Sequence, residues 1–202
     1  MEKVDFKKEL KHLYRPSPKV PVVVDVPKMN FLMVDGRGNP NTSKEYRDAI
    51  EVLYGLSYPV KFAFKKAGIL DYTVMPLEGL WWVEGSEEFD PDKKENWQWT
   101  SMIMQPDLVT DDLVVETIDY VKEKKDLAAL SKIRLESFHE RLSVQIMHIG
   151  PWSAEAPTIQ RLHDFAEEQG YTLRGKHHEI YLGDPRRTAP EKLKTVIRQP
   201  VG

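Results

Sequence analysis

Apolar residues recur along the chain in two spacings, which divide it into helices and strands. Stripes with the three- and four-residue spacing of a buried helix face follow residues 42–45, residues 110–112 and Pro157. Shorter apolar runs with alternating polar residues lie between these stripes and indicate strands. The strands are predicted at residues 20–25, 29–35, 72–83, 97–105, 133–138, 142–149, 176–183 and 193–201.

The order of these elements repeats, because strand, strand, turn, helix, strand, strand occurs twice. Short peptides match between the halves: MIMQPD resembles VIRQPV, and MPLEGLWW lies opposite KHHEIYLG, which makes Glu78 and Glu179 candidate equivalents. Each half alone has too few residues to bury a core well. The sequence therefore predicts an α+β fold of two pseudo-symmetric strand–helix–strand–strand modules with a groove between them. The predicted divisions are an N-terminal arm at 1–19 and a single domain at 20–201, with module one at 20–107, a linking helix at 110–125 and module two at 131–201.

Charge and cysteine content narrow the function class. The formal net charge of the 202 residues is −3, which disfavours direct binding to nucleic acid. The chain has no cysteine, so disulfides and thiolate chemistry are excluded and a cytoplasmic location is expected. No apolar run approaches the roughly 20 residues that span a bilayer, so no membrane contact is predicted.

The most informative carboxylate is Glu179, in the apolar strand of the second module. Side chains alternate along a strand, so Glu179 and Tyr181 share a face. A carboxylate on an apolar, concave face could pair with a cationic ligand, or activate a water molecule as a general base if burial raises its pKa. The alternative is a structural carboxylate held by a backbone donor or by Arg186 or Arg187.

Tryptophans and histidines supply further candidates. Side chains alternate along a strand, so Trp82 shares the face of Glu78 and is expected to face the groove, while Trp81 is expected to face the core. A groove lined by aromatic side chains suits flat or cationic ligands. The adjacent residues His177 and His178 point apart on a strand and cannot chelate together, so neither a metal nor any other cofactor is predicted. Residues 84–95 are rich in acidic side chains and are interpreted as an exposed hairpin loop.

Two long peptides carry a family resemblance: QIMHIGPWSAEAPTIQRLHDF and GKHHEIYLGDPRRTAPEKLKTVIRQPV. With MNFLMVDGRGNPN, LYGLSYPVKF and MPLEGLWW, they resemble the large stand-alone members of the GyrI-like small-molecule-binding family over residues 18–201. The resemblance implies a drug-binding groove between two modules, and some similar stand-alone members hydrolyse cyclopropane-bearing DNA alkylators. The family's buried glutamate falls on Glu179, and its groove aromatics fall on Trp82, Trp99, Trp152 and Tyr181.

Two residues depart from the family pattern. Arg141 stands where glycine is expected and would be strained if that turn needs a positive φ. Trp152 stands where tyrosine is usual, which would change the width or hydrogen bonding of the groove.

The sequence therefore predicts a protein that binds hydrophobic, aromatic or cationic small molecules and hydrolyses a cyclopropane in them, with Glu179 as the catalytic base. Two alternatives stay open: a binding module that sequesters compounds without turnover, and an inhibitor that binds a topoisomerase. A monomer or weak homodimer is expected. The predicted ligand-binding residues are Glu78, Trp82, Trp99, His148, Trp152 and Tyr181.

Overall fold

Six strands close into one sheet in the computed structural model of the protein, which describes residues 3–85 and 94–202. The helices are α1 (Phe6–Glu9), α2 (Lys11–Tyr14), α3 (Lys44–Lys66), α4 (Asp111–Lys122) and α5 (Ala156–Glu168). The strands are β1 (Lys3–Val4), β2 (Val22–Arg37), β3 (Asp71–Tyr72), β4 (Leu77–Val83), β5 (Trp97–Gln105), β6 (Arg134–Ile149), β7 (His177–Tyr181) and β8 (Lys194–Pro200). Around the closed sheet the order is β2, β5, β4, β7, β8, β6, and β1 pairs separately with β3.

The two halves of the sheet have the same connectivity. One half runs β2, α3, β4, β5 and the other β6, α5, β7, β8, and in each half the last strand lies between the other two. The halves meet where β4 pairs with β7 and where β2 pairs with β6, both antiparallel. The predicted α+β fold with two strand–helix–strand–strand units is confirmed.

Two of the predicted strand breaks are wrong, because β2 and β6 are each continuous. Pro27 lies between the predicted strands 20–25 and 29–35, yet it is part of the single strand β2. Proline has no N–H to donate, and the described β2–β6 pairs stop at Val26–Arg141 and resume at Lys28–His139. The break signals in the sequence therefore mark a local irregularity in two long paired strands.

Arg141 lies at this irregularity and has φ +67°, a left-handed conformation. This is the positive φ for which the family pattern has glycine at this position. We expect Arg141→Gly to raise the free energy of unfolding by roughly 0.5–1 kcal/mol, because glycine adopts this conformation without a Cβ clash. Urea denaturation measures the change. Arg141→Ala is the matched control, since alanine removes the guanidinium and keeps the strain. An equal gain in both variants would assign the effect to the side chain instead.

Two helices cover one face of the sheet, which we call the helix-side face. α3 begins at the Ser43 cap, whose hydroxyl accepts a hydrogen bond from Tyr46 N, and Gly68 follows its end with φ +69°. The α5 residues Leu162 and Ala166 pack against Val144, Ile146 and Ile197. No helix within the described ranges is long and apolar enough to cross a membrane.

The N-terminal arm packs on the opposite, inner face of the sheet. Two residues of this arm, Leu13 and Tyr14, are fully buried. The backbone carbonyl of Leu13 accepts a hydrogen bond from Arg198, and that of His12 accepts one from Gln145. The arm is therefore part of the core as well as of the surface.

Candidate functional site

The register of β7 directs Glu179 to the helix-side face. Glu179 lies directly opposite Gly79 on β4 and Ile197 on β8. Its carboxylate accepts hydrogen bonds from Tyr181 Oη at 2.7 Å and from His177 Nε2 at 3.0 Å, and 13% of its side chain is exposed. The predicted shared face of Glu179 and Tyr181 thus becomes a direct hydrogen bond.

Trp81 buttresses this pair from the neighbouring strand. Its Nε1 donates to Tyr181 Oη at 3.1 Å. The indole can take this position because residue 79 is glycine: a Cβ there would lie 2.7 Å from Trp81 Nε1. The ring of Tyr46, from the first turn of α3, packs 5.7 Å from Trp81. Glu179 therefore accepts from a phenol whose own position is set by β4 and α3.

A short turn before α5 closes the site from the other side. The 3₁₀ turn Trp152–Ala154 carries Trp152, which is 43% exposed and whose ring lies edge-on to Tyr181 at 5.6 Å. Glu155 follows at the start of α5 and is almost completely buried beside Glu179 and Thr195. The turn thus brings an aromatic wall and a second carboxyl group to Glu179.

The two carboxyl groups differ in charge. Burial raises the pKa of Glu179, but hydrogen bonds from His177 and Tyr181 outweigh it, so the net pKa is lowered and Glu179 is ionised. Burial, and then the negative charge of Glu179, raise the pKa of Glu155 to about 9, so Glu155 is protonated at neutral pH. Burial and Glu179 also raise the pKa of Tyr181. The site therefore holds one carboxylate and one carboxylic acid.

His148 braces the turn. Its Nε2 lies 3.3 Å from the Pro151 carbonyl, which can only accept, so this nitrogen carries the proton. Its Nδ1 then accepts from Thr158 Oγ1 at 3.0 Å. Burial lowers the pKa of His148, which favours the neutral ring. Within the described part of the chain, no group of three or more His, Asp or Glu residues could hold a metal ion.

Trp99 shares the helix-side face but lies deeper than the other aromatic candidates. It is fully buried, and Tyr46 packs against its ring at 5.1 Å in an edge-on contact. The structure thus brings together Glu179, Tyr181, Trp152 and His148, with Trp99 beneath them in the core.

Glu78 and Trp82 lie on the inner face instead. Because Glu179 is directly opposite Gly79, the neighbouring Glu78 must point to the other side of the sheet. A twofold axis that relates the two halves would place equivalent residues on the same face of the sheet. Glu78 and Glu179 lie on opposite faces, so they are not equivalents and that prediction is wrong. Trp82 shares the face of Glu78, as its parity predicted, and lines a cleft of about 380 Å³ at the end of the sheet. There the Lys176 ammonium lies 3.3 Å from the centre of the Trp82 ring.

Glu78 belongs to a buried polar network that involves the N-terminal arm. Its carboxylate accepts from Tyr14 Oη at 2.8 Å and lies 3.0 Å from His178 Nε2. His178 Nδ1 lies 3.0 Å from Glu140, which also pairs with Arg198 at 3.1 Å. All of these groups are at most 2% exposed. The network contains two acidic and two basic side chains and has no solvent access.

The charges in this network stabilise one another. Burial lowers the pKa of His178, but Glu140 and then Glu78 outweigh it and raise the pKa to about 9. Burial raises the pKa of Glu140, but His178 and Arg198 bring it down to about 2. At neutral pH His178 is therefore protonated and Glu140 ionised within the inner-face network. Because its groups pair with one another and have no access to solvent, the network has a structural role.

The sequence-based prediction did not identify Glu155. It also named Arg186 and Arg187 as partners of Glu179 in a structural role, and neither forms that pair. Glu155 is the only carboxylate in the otherwise small and apolar peptide GPWSAEAP, a signal that could have identified it. The suggested partner Arg186 instead pairs with Asp184 at 3.0 Å, and Arg187 lies 3.9 Å from the same carboxylate. Most of the predicted acidic loop, residues 86–93, lies outside the described residues.

Comparisons with known proteins agree with this architecture. An uncharacterized conserved protein from Listeria innocua is 42% identical with a TM-score of 0.92, and the match covers 98% of this chain and 100% of that one. A hydrolase encoded by lin2189 from the same organism is also 42% identical, with a TM-score of 0.89 and complete coverage of both chains. The EcmrR C-terminal domain shares the fold, with 14% identity, a TM-score of 0.56, and coverage of 90% of this chain and 96% of that one.

A match to a family model identifies the family of the chain. A search of curated proteins gave no significant match to the chain. The model of the GyrI-like small molecule binding domain matches residues 20–201, which is nearly all of the chain outside the N-terminal arm. The chain belongs to the GyrI-like small-molecule-binding domain family.

Proposed function

We propose that this protein binds flat aromatic small molecules at the Glu179 site and hydrolyses an electrophilic cyclopropane in them. The observation that carries the proposal is an ionised carboxylate, Glu179, that no described lysine or arginine neutralises by an ion pair, beside an exposed tryptophan. A buried carboxylate is costly, and Glu179 is held by His177 and Tyr181 rather than by a lysine or arginine, so its presence points to a role in chemistry or binding. The similar structure named a hydrolase supports the catalytic form of the proposal.

Glu179 is suited to activate a water molecule. Hydrogen bonds from Tyr181 and His177 fix its carboxylate on the strand and keep it ionised at neutral pH, so it can accept a proton. The same bonds lower its pKa and make it a weaker base, so the catalysis relies on its fixed position beside the water. A water held between Glu179 and the ring carbon of a bound cyclopropane would attack as the carboxylate takes its proton. Fixed geometry of this kind supplies much of the rate of a reaction with water.

Trp152 and Tyr181 form the proposed binding wall. Their rings meet edge-on, which leaves the exposed indole face of Trp152 open for stacking. Trp82 is on the other side of the sheet and cannot contact the same small ring system. We therefore place the reacting group at Glu179, and we propose the Trp82 cleft only as a separate contact for aromatic ligands.

The proposal is tested by incubating the purified full-length protein with a cyclopropane-bearing DNA alkylator. Separation of the mixture by liquid chromatography with mass detection should reveal a ring-opened product heavier by one water. The reference is buffer containing an unrelated protein at equal concentration. Saturable binding without this product would instead indicate a sequestering module. A cytoplasmic location, action without nucleic-acid contact, and a monomeric or weakly dimeric state remain predictions.

A further inference from the structure

Glu155 has a placement that helix capping does not explain. It stands at the N-cap of α5, where an acidic side chain normally accepts hydrogen bonds from the first turn, yet it makes no such bond. Its backbone holds the turn instead: its N–H donates to Trp152, and its carbonyl accepts from Thr158 and Ile159. The side chain is 4% exposed.

The carboxyl group is directed to the site rather than to the helix. It lies beside Glu179, and its Oε1 has no hydrogen-bond partner among the described residues. Two carboxyl groups so close cannot both be ionised without a large penalty, so the pair retains one proton. Glu155 holds that proton even though a helix N-terminus favours an anion, because burial and Glu179 act more strongly.

The groups that face this pair come from several elements. They are His177 and Tyr181 on β7, Tyr46 on α3, Thr195 on β8, His148 on β6, and Lys94 next to β5. Lys94 favours the anionic form of Glu155, but burial and Glu179 outweigh it.

We propose that Glu155 is the proton donor that complements Glu179 in the hydrolysis, an inference that rests on the proposed function. The donor protonates the atom that gains electron density as the cyclopropane opens. For such a donor to be useful, that density must reach an oxygen. The site therefore fits substrates in which the cyclopropane is conjugated to a carbonyl group.

The step balances without any further reagent. The water oxygen bonds to the ring methylene carbon while Glu179 takes a water proton. The carbon–carbon bond of the ring breaks, and its electron pair passes through the conjugated system to the carbonyl oxygen, which becomes an enolate or phenolate oxygen. Glu155 gives this oxygen its proton, so the net change is addition of one water. Transfer of the new proton from Glu179 to the adjacent Glu155 then restores the starting state.

The experiment compares the wild type, Glu155→Gln and Glu155→Asp with carbonyl-conjugated cyclopropanes over pH 5–10.5. In the wild type kcat/KM should fall on the alkaline side as Glu155 loses its proton, with an apparent pKa of about 9. Glu155→Gln should lower kcat/KM by about 10²-fold or more and abolish the alkaline fall. Glu155→Asp should retain the alkaline fall at reduced rate.

A substrate series separates proton donation from a structural role. The Glu155→Gln defect should shrink for substrates whose ring-opened product is a more acidic phenol, because such an oxygen needs a proton less. In the wild type, the rate should depend only weakly on the acidity of that phenol. This measurement needs no variant, so it tests the inference even if Glu155→Gln does not fold. This inference would be overturned, and the proposed function left standing, if Glu155→Gln kept the wild-type rate and its fall at alkaline pH. A wild-type rate that depended steeply on the acidity of the product phenol would have the same consequence. No turnover by the wild type would overturn the proposed function, and this inference with it.

Discussion

Replacing Glu140 with glutamine is expected to lower the free energy of unfolding by about 3–5 kcal/mol, the range for removing one partner of a buried ion pair. Glu140 is 2% exposed and accepts from both His178 and Arg198. A neutral amide leaves two buried cations with Glu78 as the remaining carboxylate of the inner-face network. The loss is large because burial prevents water from replacing the missing charge.

The measurement is urea denaturation at neutral pH, monitored by tryptophan fluorescence. Glu136→Gln is the matched control, since Glu136 lies on the same strand and 53% of its side chain is exposed in its pair with Arg134. The control should change stability by no more than about 1 kcal/mol. A Glu140→Gln protein as stable as this control would show that the network contributes nothing.

The pH dependence of this contribution has a defined sign. The pKa of His178 in the folded protein is about 9, above its ordinary value, so its contribution is complete below about pH 6.5 and is lost as pH rises through 9. The pKa of Glu140 is about 2, below its ordinary value, so its contribution is complete above about pH 5 and is lost as pH falls towards 2. The difference between wild type and Glu140→Gln should therefore be largest near pH 5–6.5.

This network illustrates what the sequence could not predict. The alternation of side chains was sufficient to place Glu179 with Tyr181 and Trp82 with Glu78. The partners of His178 lie 100 and 38 residues away, and they come together only because β4 pairs with β7, β7 with β8 and β8 with β6. Local periodicity carries no information about such cross-strand register.

The same limitation explains the error about Glu78 and Glu179. A shift of one residue in an alignment of two short peptides looks minor in sequence, but in a strand it reverses the face. The peptides MPLEGLWW and KHHEIYLG align their glutamates, whereas the ladder pairs Glu78 with Ile180. Glu155 was missed for a different reason: it reaches the site from a turn, where side-chain direction follows no period.

Glu179→Gln is expected to lower kcat/KM for a cyclopropane-bearing substrate by about 10²–10⁴-fold, the usual contribution of a general base. Glutamine has nearly the same shape, and its carbonyl oxygen can still accept from Tyr181 or His177. It cannot take a proton from water. The substrate should therefore still stack on Trp152, and the loss should fall on kcat, with KM changed only a few-fold.

Initial rates of product formation measure this effect, with thermal melting used to verify that the variant is folded. The matched control is Glu191→Gln, which makes the same change at an exposed position beyond β7 and should leave kcat unchanged. A Glu179→Gln protein that retains half of the wild-type kcat would exclude Glu179 as the base. A large rise in KM at constant kcat would instead indicate that its charge binds the ligand, and the water would then need another activating group near Trp152.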